Sequence, residues 1–210
     1  MNRISSLYEL LNELNASSES EENNQQTDKC LHFMNQFVTE HAQTFHFKDH
    51  MQKGIPSIVD LLISTSERIP VLKIPSLSCL RLLSRDEGIV HSISDMSSVL
   101  EPLLQNWITE SQVEDSNLCK IESLRSMCNF VYHSPLVRDY FKRNELLSTH
   151  GQKMLSSFED PYSEDLFYAI RIVFLMSALE VSERVVLKEA RFVLLLTDVL
   201  EAGVKRYTPE

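Results

Sequence analysis

Apolar residues recur at intervals of three and four along most of this chain, which is the spacing of one face of an α-helix. The first two runs consist of Leu7, Leu10, Leu11 and Leu14, then Leu31, Met34, Phe37 and Val38. Pro56, Pro75 and Pro135 stand at the start of later runs, where a helix does not need the missing N–H. The pattern predicts an all-α protein.

Two of the later helices carry specific expectations. The helix over 117–132 is predicted to bury Leu118, Ile121, Leu124, Cys128 and Val131. The helix over 163–179 is apolar nearly all round, so we expect it to be buried on several sides. A further helix is predicted over 185–204, after a loop over 148–160.

A polar stretch interrupts the apolar pattern near the start of the chain. It begins at Asn15 and is rich in Ser, Glu, Asn and Gln, with no apolar period. This composition favours a flexible loop at about 16–28.

A five-residue pattern ending in arginine occurs three times, over 77–81, 121–125 and 167–171, with the arginines 44 and 46 residues apart. This period is typical of armadillo and HEAT repeats, in which each small unit must stack on a neighbour to bury its apolar face. The repeat therefore predicts one armadillo/HEAT-like domain over 1–210.

Stacked repeats bring equivalent positions into line, so Arg81, Arg125 and Arg171 are predicted to form one row, here called the arginine row. Arg85 and Asn129 each lie four residues later, on the same helix face. A guanidinium has five donors and stays charged, which suits a carboxylate or the carbonyls at a helix C-terminus. The five residues predict a groove for a peptide or helix end of negative character.

An alternative stays open for these arginines. The chain has 30 Asp and Glu residues, so an internal ion pair is as reasonable for Arg81 or Arg125 as a ligand contact. Arg171 lies in a segment almost without charge, and burying a lone guanidinium is costly. We expect Arg171 to meet a buried carboxylate or to face an open groove.

Composition narrows the function. The formal charge of −10 argues against nucleic acid or an anionic membrane as the main partner. Cys30, Cys79, Cys119 and Cys128 include no Cys-x-x-Cys pair and are expected to be reduced core residues. With no secretion signal or membrane-length apolar run, the chain is expected to be cytoplasmic and without an integral membrane segment. We also expect it to be a monomer.

Catalytic chemistry is disfavoured. The sequence has no glycine-rich phosphate loop, nucleophile elbow or His-Glu-x-x-His pair. His46 and His50 are four apart, with Asp49 beside them and His41 upstream, which suggests a helical metal site. The set lacks a third ligand at defined spacing, however, and a surface histidine cluster is the commoner case. We therefore expect neither an enzyme nor a cofactor.

The same segments resemble the synembryn family, which comprises chaperones and guanine-nucleotide exchange factors of heterotrimeric G-protein alpha subunits. The resemblance lies in the strings over 80–86, 122–129 and 170–179, with weaker similarity over 41–47 and 195–201. The match covers roughly 30–201 in colinear order, and the chain corresponds to the N-terminal part of the longer family.

The resemblance implies a right-handed armadillo/HEAT-like superhelix whose concave face takes the C-terminal helix of an alpha subunit. Arg81, Arg85 and Asn129 match family positions on that face, and Arg125 and Arg171 match basic positions nearby. It also implies recruitment to the cell cortex or plasma membrane. The alternative interpretation is a general armadillo scaffold that binds another acidic or helical peptide.

Overall fold

The computed structural model describes residues 3–16, 21–47, 55–108, 114–146, 163–180 and 197. Every regular element in these ranges is helical, so the all-α prediction is confirmed. The chain groups into two compact units, Met1–His133 and Ser134–Glu210, which are described separately below. The single domain over 1–210 stays a prediction.

The first unit contains seven α-helices in its described residues. They are α1 (Arg3–Ala16), α2 (Glu21–Glu40), α3 (Ile55–Arg68), α4 (Lys73–Leu83), α5 (Glu87–Ser92), α6 (Met96–Ile108) and α7 (Glu114–His133). A short 3₁₀ turn, Pro70–Leu72, leads directly into α4.

Helix α4 lies at the centre of the first unit, packed against α2, α3 and α7. Leu77, Cys79, Leu80, Leu82 and Leu83 are all at most 1% exposed, so only a narrow part of α4 is left for polar side chains. Burial of this many leucines supplies much of the apolar stabilisation of the unit. Arg81 occupies the narrow polar part, in the last turn of α4.

The turn after α4 is fixed by Asp86, which is 2% exposed. Its Oδ1 accepts from the backbone N–H groups of Gly88 (2.9 Å) and Ile89 (3.2 Å), and so caps the N-terminus of α5. Its Oδ2 accepts from the backbone N–H of Phe47 at 2.7 Å. Asp86 therefore ties the segment that follows α2 to the α4–α5 turn.

The second unit contains α8 (Pro135–Arg143) and α9 (Glu164–Leu179) in its described residues. Ser134 begins α8, with its Oγ accepting from the N–H of Val137 at 3.4 Å and Pro135 in the first turn. Glu180 follows α9, and its carboxylate accepts from Arg138 Nε at 2.9 Å and from Lys142 Nζ at 3.0 Å. These bonds connect the end of α9 to α8.

The predicted loop over 16–28 is wrong for most of its length. Ala16 is the last residue of α1, and α2 already begins at Glu21. Helix α2 packs along α1, where Gln26 Nε2 donates to Glu13 Oε2 at 2.6 Å and Cys30 Sγ lies 3.6 Å from the carbonyl of Leu10. These contacts explain a helix that the polar composition did not indicate.

Two burial predictions also need correction. Leu118, near the start of α7, is 50% exposed rather than buried. In α9, Phe167 (58%) and Phe174 (64%) are exposed, so this helix is not buried on several sides.

The four cysteines are free and buried, as predicted. The loop predicted over 148–160 and nearly all of the helix predicted over 185–204 lie outside the described residues.

Candidate partner-binding site

Helices α4 and α7 bring two members of the arginine row to one carboxylate. Arg81 Nε of α4 donates to Glu122 Oε2 at 2.6 Å, and Arg125 Nη1 of α7 donates to Glu122 Oε1 at 2.6 Å. The first bond joins residues 41 apart in sequence, and the second joins residues three apart on one helix face. We call Arg81, Glu122 and Arg125 the Glu122 cluster.

The Glu122 cluster lies at the edge of the core. The exposed fraction of the side chain is 10% for Glu122, 15% for Arg81 and 27% for Arg125. Both carboxylate oxygens are engaged by charge-assisted hydrogen bonds, the strong kind in proteins. Two guanidinium groups thus share one carboxylate at a partly exposed position, and neither has Glu122 to itself.

Arg81 keeps hydrogen-bonding capacity. Its bond to Glu122 uses Nε, and the structure describes no hydrogen bond from its Nη1 or Nη2 to any described residue. A guanidinium held by Nε still presents the donors on its two terminal nitrogens. Arg81 is therefore oriented by the protein while its outer end remains able to bind a further acceptor.

The thiol of Cys79, two residues before Arg81, shows that the interior beside the cluster is closed to solvent. Cys79 is fully buried, and burial raises the pKa of its thiol far above the ordinary range. The nearby positive charge of Arg81 opposes that rise in pKa, and the negative charge of Glu122 adds to it. Cys79 is therefore a neutral packing residue and no nucleophile.

Asn129 fastens α7 to the end of α4. Its Nδ2 donates to the carbonyl of Arg81 at 3.3 Å and to Ser84 Oγ at 3.0 Å. Ser84 Oγ in turn donates to the same Arg81 carbonyl at 2.9 Å. Helix C-termini leave carbonyls without helical partners, and Asn129 helps to satisfy one of them. The Oδ1 of Asn129 accepts no hydrogen bond from a described residue.

Arg85 makes its described contacts with the segment after α2, although the sequence predicts it beside Arg81 in the groove. Its Nη1 donates to the carbonyl of Ala42 at 2.7 Å, and its guanidinium lies 5.3 Å from the ring centroid of Phe45. Such a cation–π contact is modest at an exposed position. The side chain of Arg85 thus helps Asp86 to hold this segment.

Arg171 lies on α9 in the second unit and is exposed. Phe167 and Phe174, four residues before it and three after, are exposed on the same side of the helix. The structure describes no ion pair for Arg171 within the described ranges. Of the two expectations for this residue, burial against a carboxylate is therefore wrong. Its alignment with Arg81 and Arg125 stays a prediction, because it belongs to the other unit.

Sequence reasoning missed Glu122 as a member of the site. The signal was present, since a carboxylate three residues before Arg125 lies on the same helix face and is placed to pair with it. The sequence did not indicate that Arg81 also pairs with Glu122, because Arg81 reaches Glu122 only through the packing of α4 against α7.

One of the histidines considered as metal ligands, His41, has other described contacts. His41 packs against the rings of Phe37 (4.6 Å) and Phe47 (5.3 Å), and its Nδ1 lies 3.2 Å from Thr44 Oγ1. His50 lies outside the described residues. Within the described ranges, no three His, Cys, Asp or Glu side chains are grouped as a metal site requires.

No helix in the described part of the chain has both the length and the apolar character needed to cross a membrane.

Comparison with known proteins gives a consistent result. The family described as guanine nucleotide exchange factor synembryn matches residues 76–210. A protein named Chaperone Ric-8A from Pongo abelii is 28% identical over 191 residues, which cover 87% of this chain and 36% of the relative. Its namesake from Mus musculus is 29% identical over 183 residues, covering 83% and 34%.

The chain thus spans about a third of the length of the curated relatives it matches. The family match begins just before Arg81 and includes all five predicted site residues. Over this length the chain belongs to the synembryn family of guanine nucleotide exchange factors.

Proposed function

We propose that this chain binds the C-terminal helix of a heterotrimeric G-protein alpha subunit and acts on it as a chaperone and guanine-nucleotide exchange factor. Membership of the synembryn family and similarity to proteins named Chaperone Ric-8A support this function. The observation that carries the proposal is the Glu122 cluster, where two guanidinium groups from neighbouring helices share one carboxylate and Arg81 keeps Nη1 and Nη2 without a hydrogen-bond partner among the described residues.

The chemistry of a helix end matches this site. The last turn of a helix leaves up to four carbonyls without helical partners, and a chain terminus adds a carboxylate. The terminal nitrogens of Arg81 supply donors for such groups, and Asn129 Oδ1 supplies an acceptor for a backbone N–H. Arg171, exposed between two exposed phenylalanines, adds a cation beside apolar surface in the second unit.

The proposed architecture is an armadillo/HEAT-like right-handed superhelix. The all-helical content of the described residues and the packing of α3, α4, α6 and α7 in the first unit support it. The 44- and 46-residue spacing of the arginine row is in the range of such repeats. We further propose a cytoplasmic monomer that is recruited to the cell cortex or plasma membrane to meet its partner.

Exchange activity of this kind needs no catalytic group in the exchange factor. A protein that binds the open state of a nucleotide-binding partner better than the closed state shifts the partner toward release of its nucleotide. In this proposal, holding the C-terminal helix of the alpha subunit away from its nucleotide pocket has that effect. The chemistry and the nucleotide stay with the partner.

A peptide titration tests the proposed function. The C-terminal helix peptide of an alpha subunit, with its natural carboxylate, is titrated into the full chain, into Arg81→Gln and into Arg171→Gln. We expect Arg81→Gln to weaken binding roughly tenfold or more, since a desolvated charge pair is lost. Arg143→Gln is the matched control, because Arg143 is an exposed arginine of α8 that is not among the predicted site residues.

Equal affinities for the wild type, Arg81→Gln and Arg171→Gln would exclude this site as the peptide groove. A scrambled acidic peptide that binds as tightly as the alpha-subunit peptide would instead favour the general scaffold. Thermal melts of each variant show whether weaker binding comes from unfolding. Gln at position 81 can still donate a hydrogen bond to Glu122, so Arg81→Gln is expected to fold.

A further inference from the structure

The Glu122 carboxylate already occupies the two guanidinium groups that an acidic partner would use. Each of its oxygens accepts one charge-assisted hydrogen bond of 2.6 Å, from Arg81 and from Arg125. Arg81 and Arg125 are partly exposed, so the bond partners of Glu122 are within reach of a ligand from outside. An incoming carboxylate would therefore share its cations with an internal one.

Two consequences follow from this sharing. The Glu122 carboxylate offsets part of the positive charge that the two guanidinium groups present to a ligand, which weakens attraction in a medium of intermediate dielectric constant. The ligand carboxylate also approaches a second carboxylate of the same sign within a few ångströms, and like charges at close range oppose binding. Both effects lower the affinity of this site for any acidic terminus.

We propose that Glu122 is an internal competitor for the arginine site and sets how tightly a partner carboxylate binds. The inference rests on the proposed function and names a regulation of the same site. A partner must bring enough contacts outside the cluster to offset the competition. A short acidic peptide therefore binds weakly, while a helix that also engages other surfaces binds well.

The position of Glu122 supports competition over a purely structural role for the carboxylate. A structural ion pair needs one cation, and Arg125 on the same helix is placed to provide it. The second bond reaches across to Arg81 and uses only Nε, and no described residue accepts a hydrogen bond from Nη1 or Nη2, so these nitrogens keep their donors for a ligand.

The first test needs no partner. Full-length wild type and Glu122→Gln are treated with phenylglyoxal, which modifies accessible guanidinium groups, and modification of each arginine is followed by peptide mass spectrometry. We expect Arg81 and Arg125 to react several-fold faster in Glu122→Gln, because a neutral amide holds them less strongly. Arg143 serves as the internal standard, and Glu101→Gln, an exposed site, controls for the change in net charge.

The second test is the peptide titration with the carboxylate-ended alpha-subunit peptide. We expect Glu122→Gln to bind it roughly three- to tenfold more tightly than wild type, since one unit of like charge is removed from the site. The gain should be smaller for the same peptide ending in a carboxamide. Glu122→Asp, which keeps the charge, should bind the carboxylate-ended peptide no more tightly than the wild type.

The outcomes separate the two proposals. Unchanged modification rates in Glu122→Gln overturn the competitor role, whatever the peptide does. Faster modification with equal or weaker peptide binding also overturns it and makes Glu122 a positioning residue, while weaker binding by Arg81→Gln leaves the proposed function intact. If neither Arg81→Gln nor Glu122→Gln alters peptide binding, the proposed function fails and the competitor role falls with it.

Discussion

Among the described residues, each unit has a glutamate that is shared by two cations, but the two clusters differ in whether a further carboxylate is described for those cations. In the first unit Glu122 joins Arg81 and Arg125. In the second unit Glu180 joins Arg138 and Lys142, here called the Glu180 cluster. The side chain of Glu180 is 20% exposed, against 10% for Glu122.

The clearest difference between the two clusters is whether a cation keeps a second carboxylate when the shared glutamate is removed. Lys142 also pairs with Asp139 at 2.7 Å, so it keeps a carboxylate if Glu180 is removed. For Arg81 the structure describes no carboxylate other than Glu122 within the described residues. The Glu180 bonds are also longer, at 2.9 and 3.0 Å, than the two 2.6 Å bonds of Glu122.

Equal numbers of ion pairs do not have equal consequences for stability. Removing one member of a pair is costly when the partner is left partly buried with its charge uncompensated. The loss of stability is small when water or a second carboxylate can interact with the remaining charge. We infer that the first unit depends on its shared carboxylate more than the second unit does.

The largest expected effect is that of Glu122→Ala. This change leaves Arg81 without its described carboxylate and removes one from Arg125, so we expect the free energy of unfolding to fall by about 2–3 kcal/mol. Urea denaturation of the full chain, followed by circular dichroism, measures the loss. Alanine is a good helix former, so helix propensity does not confuse the result in the middle of α7.

A triple variant sharpens this prediction. Replacing Arg81, Glu122 and Arg125 together by methionine removes the charges while keeping apolar volume, and such replacements of buried ion networks are often neutral or better. The triple variant should therefore recover most of the stability lost in Glu122→Ala. A triple variant as unstable as Glu122→Ala would show that the cost lies in packing and not in the uncompensated cations.

The second expected effect, from Glu180→Ala, is smaller. Because Lys142 retains Asp139, we expect the loss in unfolding free energy to be roughly half or less of that for Glu122→Ala. The loss should also shrink further at high salt, since partly exposed pairs are screened. The same urea series at low and high sodium chloride measures both. A loss equal to that of Glu122→Ala at either salt would remove the contrast between the clusters.

The sequence predicted much of the fold because the main signals are local. Apolar spacing and prolines gave the all-α class, and the apolar surroundings of the cysteines predicted their burial. The helical start of α2 was missed because Glu21 to Asp28 carries no apolar period. This part of α2 is supported by tertiary contacts with α1, such as the hydrogen bond from Gln26 to Glu13, and local sequence patterns do not reveal such contacts.

The site was predictable only in part, for the same reason. The repeat pointed to Arg81, Arg125 and Asn129, and the packing of α4 against α7 does bring these three into one network. The role of Glu122 in that network was not predictable, because its bond to Arg81 joins residues that are 41 apart in sequence. Arg85 was assigned to the groove from helix spacing and from the family resemblance, whereas its described side-chain contacts are with the segment 41–47.

The smallest expected effect is a dependence of stability on acid in the Glu180 cluster. Hydrogen bonds from Lys142, and then from Arg138, hold the pKa of the Glu180 carboxyl below its ordinary value of 4.5. A carboxyl whose pKa is lowered in the folded state stabilises the fold above the unfolded pKa. That stabilisation is lost as the pH falls through the folded pKa. The difference in unfolding free energy between wild type and Glu180→Gln should therefore be constant from neutral pH to about pH 5 and shrink below 4.5.

Urea midpoints of the two proteins, measured in parallel down to about pH 3, follow that difference directly. Asp139, whose pKa Lys142 also lowers, is present in both proteins, so its own titration largely cancels in the comparison. Lys142→Met serves as the control, because it removes the first cause of the lowered Glu180 pKa. In the Lys142→Met background, the difference in unfolding free energy between Glu180 and Gln at position 180 should change less with pH. A difference that stays constant or grows as the solution is acidified would mean that Glu180 does not gain its stabilising effect from these two cations.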